Sequence, residues 1–425
     1  MELLQQVRII DPVREVDRLA DVSIADNKII QISDRILEYP TETKIIEPSG
    51  LILGTGLVDL YSHSSEPGNE SRESLLDLAR SGAAGGFTQI SILPDTTPAL
   101  NNVEIIAAIK NKSILQTKSD RQLCPRLNFW GNAWDSSQQS MNSLGELEPE
   151  VVGFATSHNL SNLNVLKQIL EYVQPWSKTI AIALHQNELG SDGVVEEGEV
   201  SIRYGMTGSP SYSEAAAVAA VLEMAAEIPV QIHIMRVSTR RGVELIADAK
   251  ARGVNVTAST TWMHLLWNSQ AVGSYDPNLR LEPPLGNELD RRALAEGVRQ
   301  GIIDAIAIDH RAYTYEEKTV AFALAPSGVI GLELALPLLW QKFVATEEWT
   351  ALELWQALSS RPRQCLQQEL KAITPEREAD LVLFAPRQIW TADSNSLKSS
   401  AANTPWYNKE IIGKVVKTWL NLVNK

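Results

Sequence analysis

Apolar positions along this chain follow two different rhythms. Over residues 1–50 they alternate with polar ones: Val7, Ile9 and Ile10, then Val22 and Ile24, then Ile29, Ile30 and Ile32. Asp26-Asn27 supplies a turn between the last two groups. A period of two with such turns marks half-buried antiparallel strands. The C-terminal end behaves alike, with strands predicted over 379–384, closed by Pro386, and over 412–419. Residues 1–50 and 376–425 are therefore expected to build one small composite β-sandwich.

Over 51–375 the rhythm changes. Short, apolar, β-prone runs recur at 57–60, 88–93, 127–130, 151–155, 180–184, 230–235, 254–258 and 303–308. Runs of that length without alternation suit strands buried on both faces. Helical patterns lie between several of them, at 70–81, 213–226 and 240–252; in the second, Val218, Val221, Leu222 and Ala225 share one face. Eight buried strands with intervening helices predict an α/β fold, a parallel (β/α)8 TIM barrel with its site at the strand C-terminal ends. A doubly wound open sheet is the alternative. Against it, Gly85-Gly86 follows a helix, and no phosphate-cradling glycine loop follows a strand.

Composition narrows the function classes. The 425 residues are ample for a sizeable core. A net charge of −14 argues against nucleic acid, which wants a basic face. No apolar run approaches the ~20 residues of a membrane span, and the N-terminus shows no basic-then-apolar secretion pattern. A cytoplasmic protein with no nucleic-acid or membrane partner is expected. Cys124 and Cys365 read as buried small hydrophobes in a reducing compartment. The Ser- and Asn-rich stretch 391–405 reads as a surface loop, and Arg361 and Arg363 as solvated surface.

The candidate chemistry starts at residues 51–68, LILGTGLVDLYSHSSEPG. An apolar strand here runs straight into Tyr61, Ser62, His63, Ser64, Ser65 and Glu66, then the turn Pro67-Gly68. A buried strand ending in polar and ionisable groups is how α/β barrels begin a site. The stretch resembles the dihydroorotase family of cyclic amidohydrolases, where the strand ends Asp-Leu-His-x-His-x-Arg-Glu-Pro-Gly. Asp59, Leu60, His63, Glu66, Pro67 and Gly68 match; Tyr61 stands at the first histidine and Ser65 at the substrate-binding arginine. Segments 81–88, 196–198, 283–285, 301–307, 328–333, 403–405 and 413–415 extend the resemblance over nearly the whole chain.

The resemblance implies zinc that activates a water to attack a cyclic amide. The family reaction is the reversible closure of carbamoyl aspartate to dihydroorotate in pyrimidine biosynthesis. Carried over residue by residue, the paired histidines fall on Tyr61 and His63, and the fifth-strand histidine on His185. The bridging group would lie in 154–158, which holds no Asp, Glu or Lys. The sixth-strand His-x-x-His becomes His233-Ile234-Met235-Arg236, and Asp309 keeps the place of the aspartate that binds metal and acts as general base. His63, His185 and Asp309 remain as ligands, enough for at most one weakly held zinc. Arginine carries donors and no acceptor, and tyrosine would ligate only as phenolate, from a pKa of ~10.

Substrate recognition is altered independently. The family's carboxylate clamp maps to Ser65, Asp95 and Tyr313, and the asparagine before Pro283-Pro284 is Glu282. An aspartate ~4 Å from a bound carboxylate would repel it by about 4 kcal/mol at an effective dielectric of ~20. The plainer reading makes His63 and Asp309 buried, hydrogen-bonded groups, with Asp309 paired to Arg236, and His233 and His264 structural. The expected function is a non-catalytic, dihydroorotase-like protein, a homo-oligomer and structural partner of aspartate transcarbamoylase. The alternative is a metal-dependent cyclic amidohydrolase, acting on dihydroorotate or an altered substrate through a reduced metal site. Trp340, Trp349 and Trp355, in the helix-forming segment 338–357, read as core packing against the barrel or, if exposed, as interface anchors.

Overall fold

The computed structural model describes the chain except residues 48–49, 121–123, 136–139, 157–161, 185–192 and 421–425, and gives only the backbone of 116–120. Both termini feed one seven-stranded sheet. Its N-terminal strands are β1 (Glu2–Asp11), β2 (Val16–Ala25), β3 (Lys28–Ser33), β4 (Lys44–Ile46) and β5 (Ile52–Thr55). Leu4, Val7, Ile9, Val22 and Ile24 bury one face of it, together with Leu381, Leu383 and Trp419 from the other end of the chain.

The chain passes from that sheet into the barrel at Gly56. A Cβ there would sit 2.2 Å from Asp380 Oδ1 and 2.3 Å from the Thr88 methyl, so only glycine fits the crossing. The barrel strands follow: β6 (Leu57–Ser62), β7 (Phe87–Ile92), β8 (Arg126–Asn132), β9 (Gly153–Ala155), β10 (Thr179–Ala183), β11 (Ile232–Met235), β12 (Val256–Thr261) and β13 (Ala305–Ala307). They pair in chain order, each with its neighbour in parallel. Between β6 and β13 the ring closes through His63 N–H to His310 O at 2.8 Å and Asp309 N–H to Tyr61 O at 3.1 Å. Asp59 helps, its Oδ1 accepting the Ile308 amide at 2.9 Å. The C-terminal strands β14 (Leu381–Thr391) and β15 (Glu410–Trp419) return to the terminal sheet, in which the order is β15-β14-β5-β1-β2-β3, with β4 also on β1.

Helices cover the barrel where the pattern expected them, with shifted ends. The first, α1 (Leu75–Ala84), starts five residues later than the apolar pattern suggests, because Ser74 caps it by accepting the Asp77 amide. The alanine-rich α2 (Ser211–Glu227) buries Val218, Val221, Leu222 and Ala225. Beyond it, α3 (Arg240–Ala251) and α4 (Glu288–Gln300) begin on Thr239 and Asn287, whose side chains accept amides of the first turn.

Three expectations need correction. Trp340, Trp349 and Trp355 are only 6%, 3% and 0% exposed, so they are core and no interface anchors. Trp349 stacks on Phe343 with ring centres 4.1 Å apart, and Trp355 Nε1 donates to Thr55 O. Arg363 is buried, donating to Asp380 at 3.0 Å beneath the barrel. Finally, the loop after β14 is only in part a surface loop, since Ala392, Leu397, Asn403 and Thr404 are buried.

Candidate active site at the barrel mouth

A β-bulge aims the first site residue. Between Asp59 and Ser62, strand β6 holds one residue more than β7 opposite it, and such bulges redirect side chains. Leu60 and Tyr61 consequently both belong to the inner cluster of the barrel, with Trp130, Ala181 and Met235. His63 follows one step beyond the strand.

Arg236 and Asp309 come next, each just past a strand end and each in the left-handed region, with φ of +57° and +51°. A non-glycine residue there stores about 1–3 kcal/mol of strain. Their side chains meet across the mouth. Arg236 Nε donates to Asp309 Oδ2 at 2.8 Å and Nη2 donates to Oδ1 at 2.6 Å, a fork-on-carboxylate pair. The same Nη2 lies 3.1 Å from His63 Nε2, which in turn is 3.2 Å from Asp309 Oδ1. Arginine cannot accept, so this contact makes Nε2 the acceptor and leaves the ring proton on Nδ1. That proton goes to Asp95 Oδ2 at 2.7 Å, an oxygen that Arg311 Nη2 also approaches at 3.4 Å.

Burial alone would raise both carboxyl pKa values. Arg236 overcomes it at Asp309, and the His63 Nδ1–H with Arg311 at Asp95, holding both groups well below the ordinary carboxylate range. Burial would lower the Arg236 pKa, and Asp309 reverses this and raises it above its usual value. The mouth thus holds fixed, mutually compensated charges.

A second chain of bonds runs inward with one consistent direction. The Arg236 amide donates to Tyr61 Oη at 3.0 Å, and the phenol reaches Ser259 Oγ at 2.9 Å. Ser259 reaches His233 Nε2 at 2.8 Å, and His233 Nδ1 reaches Thr257 Oγ1 at 2.9 Å. With the phenol and Ser259 donating onward, every group in the row is satisfied and His233 is neutral. Burial pushes its pKa down to about 3, and burial together with Asp309 raises that of Tyr61. His264 is likewise structural, between Thr261 Oγ1 at 2.7 Å and Pro283 O at 3.1 Å, lowered to about 4 by burial.

One group that sequence reading left without a role anchors the closure. His310 Nδ1 accepts the Gly331 amide at 3.2 Å, so Nε2 carries the proton and donates to the buried Glu73 at 3.0 Å. Glu73 also takes the Ser399 hydroxyl. The three residues come from segments far apart in the chain, and only the motif at Asn403, in the same packed segment as Ser399, hints at the contact.

The structure therefore brings His63, Arg236, Asp309, Asp95 and Tyr61 together. His185 lies outside the described residues, as does His158. Glu282 lines the same cavity as Asp95, whereas Ser65 and Tyr313 do not; the Tyr313 hydroxyl donates to Ser327 O at 3.1 Å.

Does this donor set fit zinc? Both Asp309 oxygens accept from Arg236, and His63 Nε2 faces the same guanidinium. Tyr61 keeps its proton, and at the end of β9 Thr156 offers only a hydroxyl, which accepts the Ala183 amide at 3.4 Å. Among the described residues no group of three or more His, Cys, Asp or Glu side chains is arranged to hold a metal ion. A cation already sits where lone pairs would have to converge. The described residues do not fit the metal.

Barrel, terminal sheet and strand-end cluster together define an amidohydrolase-type architecture. The fold matches an L-hydantoinase from Arthrobacter aurescens with a TM-score of 0.82 over 100% of this chain and 97% of that one, at 18% identity. A D-hydantoinase from Thermus sp. gives 0.77 over 98% and 93%, also at 18%. No protein-family model matches the chain. Curated sequences are more specific. A "Probable dihydroorotase-like protein" of Synechocystis sp. is 39% identical over 97% of this chain and 98% of its own length. The dihydroorotase of Syntrophus aciditrophicus is 30% identical over 98% and 97%. The chain belongs to the dihydroorotase family.

Proposed function

We propose that this chain is a non-catalytic member of its family, a dihydroorotase-like protein that serves pyrimidine biosynthesis as a structural partner. The observation that carries this reading is the Arg236 guanidinium, bound through two N–H groups to both oxygens of Asp309 and 3.1 Å from His63 Nε2. A metal-activated hydrolase needs those lone pairs for its ion, and its general base needs a free oxygen. Asp309 is instead held ionised by a permanent cation, far from the proton affinity a base requires.

The partner we propose is aspartate transcarbamoylase, with this chain as a cytoplasmic homo-oligomer. Support comes from the retained scaffold: among the described residues the barrel ring closes between β6 and β13, and both termini share one sheet. Dihydroorotase activity is measured in both directions, with and without added zinc. The expected result is no turnover; a rate of about 1 s⁻¹ or above, ordinary for an enzyme, overturns the proposal.

A further inference from the structure

The barrel mouth keeps a cavity of about 190 Å3 although its charges are mutually paired. One water needs only ~10–15 Å3, and sites for drug-sized ligands run to ~300–1,000 Å3. The space therefore suits a molecule of a few heavy atoms. Its walls are partly apolar, with Met235, Met263, Leu281 and Val329 among them.

Three charged side chains on the wall have bonding capacity left over. Asp95 is ionised, and its Oδ1 is buried with no hydrogen-bond partner. Burial of an ionised oxygen without a donor is costly. Glu282 is engaged at one oxygen only, by the Ser327 hydroxyl at 3.3 Å. Arg311 brings five N–H donors, and its guanidinium makes one polar contact among the described residues, the long one to Asp95.

The backbone of Arg311 is held from both sides. Its amide donates to Val329 O at 3.0 Å, and its carbonyl accepts from Asn403 Nδ2 at 2.9 Å. Gly328, at φ +128°, leaves room for its stem: a Cβ there would come within 2.8 Å of Arg311 Cβ. A cation with free donors beside two carboxylates complements a ligand carrying both charges close together. A simple anion would meet Asp95 and Glu282, and a simple cation would meet Arg311.

We propose that this cavity binds a small zwitterion of the α-amino-acid class, its carboxylate on Arg311 and its ammonium on Glu282, in the negative field of Asp95, as a ligand and not a substrate. The proposal rests on the non-catalytic reading above. It would give a barrel without turnover a means of sensing a metabolite.

The test screens the standard amino acids against the full chain by ligand-observed NMR, then titrates each binder. Its decarboxylated amine and its deaminated acid serve as controls, each lacking one of the two charges. Each control loses a hydrogen bond between charged groups and is expected to bind about tenfold more weakly or worse. Arg311→Gln should weaken the amino acid by a similar factor and leave the amine control unchanged. Glu282→Gln should weaken it and spare the acid control. Both positions lie at the rim, and retention of the thermal midpoint establishes that the variants fold. No saturable binding at ~10 mM, weaker than any useful affinity, overturns the proposal, as does a deaminated acid that binds equally well. Chemical conversion of an added compound in the same spectra would instead sink the non-catalytic reading.

Discussion

Arg236 and Asp309 each leave a different barrel strand in a left-handed turn, and their side chains join by two N–H···O bonds of 2.8 and 2.6 Å. Both side chains are mostly buried, so the pair is screened little by solvent. Removing one partner of a buried pair strands the other charge, at about 3–5 kcal/mol. Arg236→Met should therefore destabilise the chain by several kcal/mol in urea unfolding. Adding Asp309→Asn, which tolerates the left-handed backbone, should restore more than half of the loss. Additivity of the two changes to within about 0.5 kcal/mol would show that they do not interact.

Reversing the arginine alone should not rebuild a hydrolytic centre. Arg236→His supplies one imidazole, while Tyr61 stays protonated under its bond to Ser259 and the end of β9 offers only Thr156. Zinc uptake by Arg236→His is expected to remain far below two ions per chain, and hydrolysis to stay undetectable. Two ions bound by this variant would mean that ligands other than Tyr61 complete the site.

Tyr61 itself tests the inner row of hydrogen bonds. Tyr61→Phe leaves the Arg236 amide and Ser259 without their shared partner. A buried polar group left unsatisfied costs about 1–3 kcal/mol. The expected outcome is a loss of that size in unfolding free energy. A loss below about 0.5 kcal/mol would mean that the row does not hold Arg236 in place.

The barrel was legible because its strands are buried on both faces and read as apolar runs; all eight recur within a few residues of their expected positions. Asp309 with Arg236 was legible too, since a motif put an arginine where a ligand belonged. What escaped depended on distance in space. Glu73 lies 237 residues from His310 and 326 from Ser399 along the chain, and no local pattern joins them. Arg363 looked solvated because its partner Asp380 stands just before β14, at the edge of the terminal sheet. Trp340, Trp349 and Trp355 could equally have been core or surface, and only packing against Phe343, Phe384 and Thr55 decides.

Acidification offers a check on the buried rings. His264 and His233 have pKa values lowered by burial to about 4 and about 3, against ~6.5 in an unfolded chain. Groups lowered in this way contribute stability that is present above about pH 6.5 and lost as pH falls through their folded values. Imidazole nitrogen shifts of labelled protein should show both rings neutral at about pH 5, with the His233 proton on Nδ1. A His233 ring that titrates near ~6.5 would contradict the bonding order assigned to Tyr61, Ser259 and His233.

Partnership has its own test. Co-expression with aspartate transcarbamoylase from the same cell, followed by size-exclusion chromatography, is expected to give one co-eluting assembly. Separate elution at micromolar concentration, with transcarbamoylase unaffected by loss of this chain, removes the structural-partner role.

The most direct measurement is the metal content of the purified chain after zinc-replete expression. If Arg236 takes the place of the ion, elemental analysis should find well under one zinc per chain, and Asp309→Asn should not change it. Close to two ions per chain, of the kind that lowers the pKa of a bound water to about 7, would contradict the central claim.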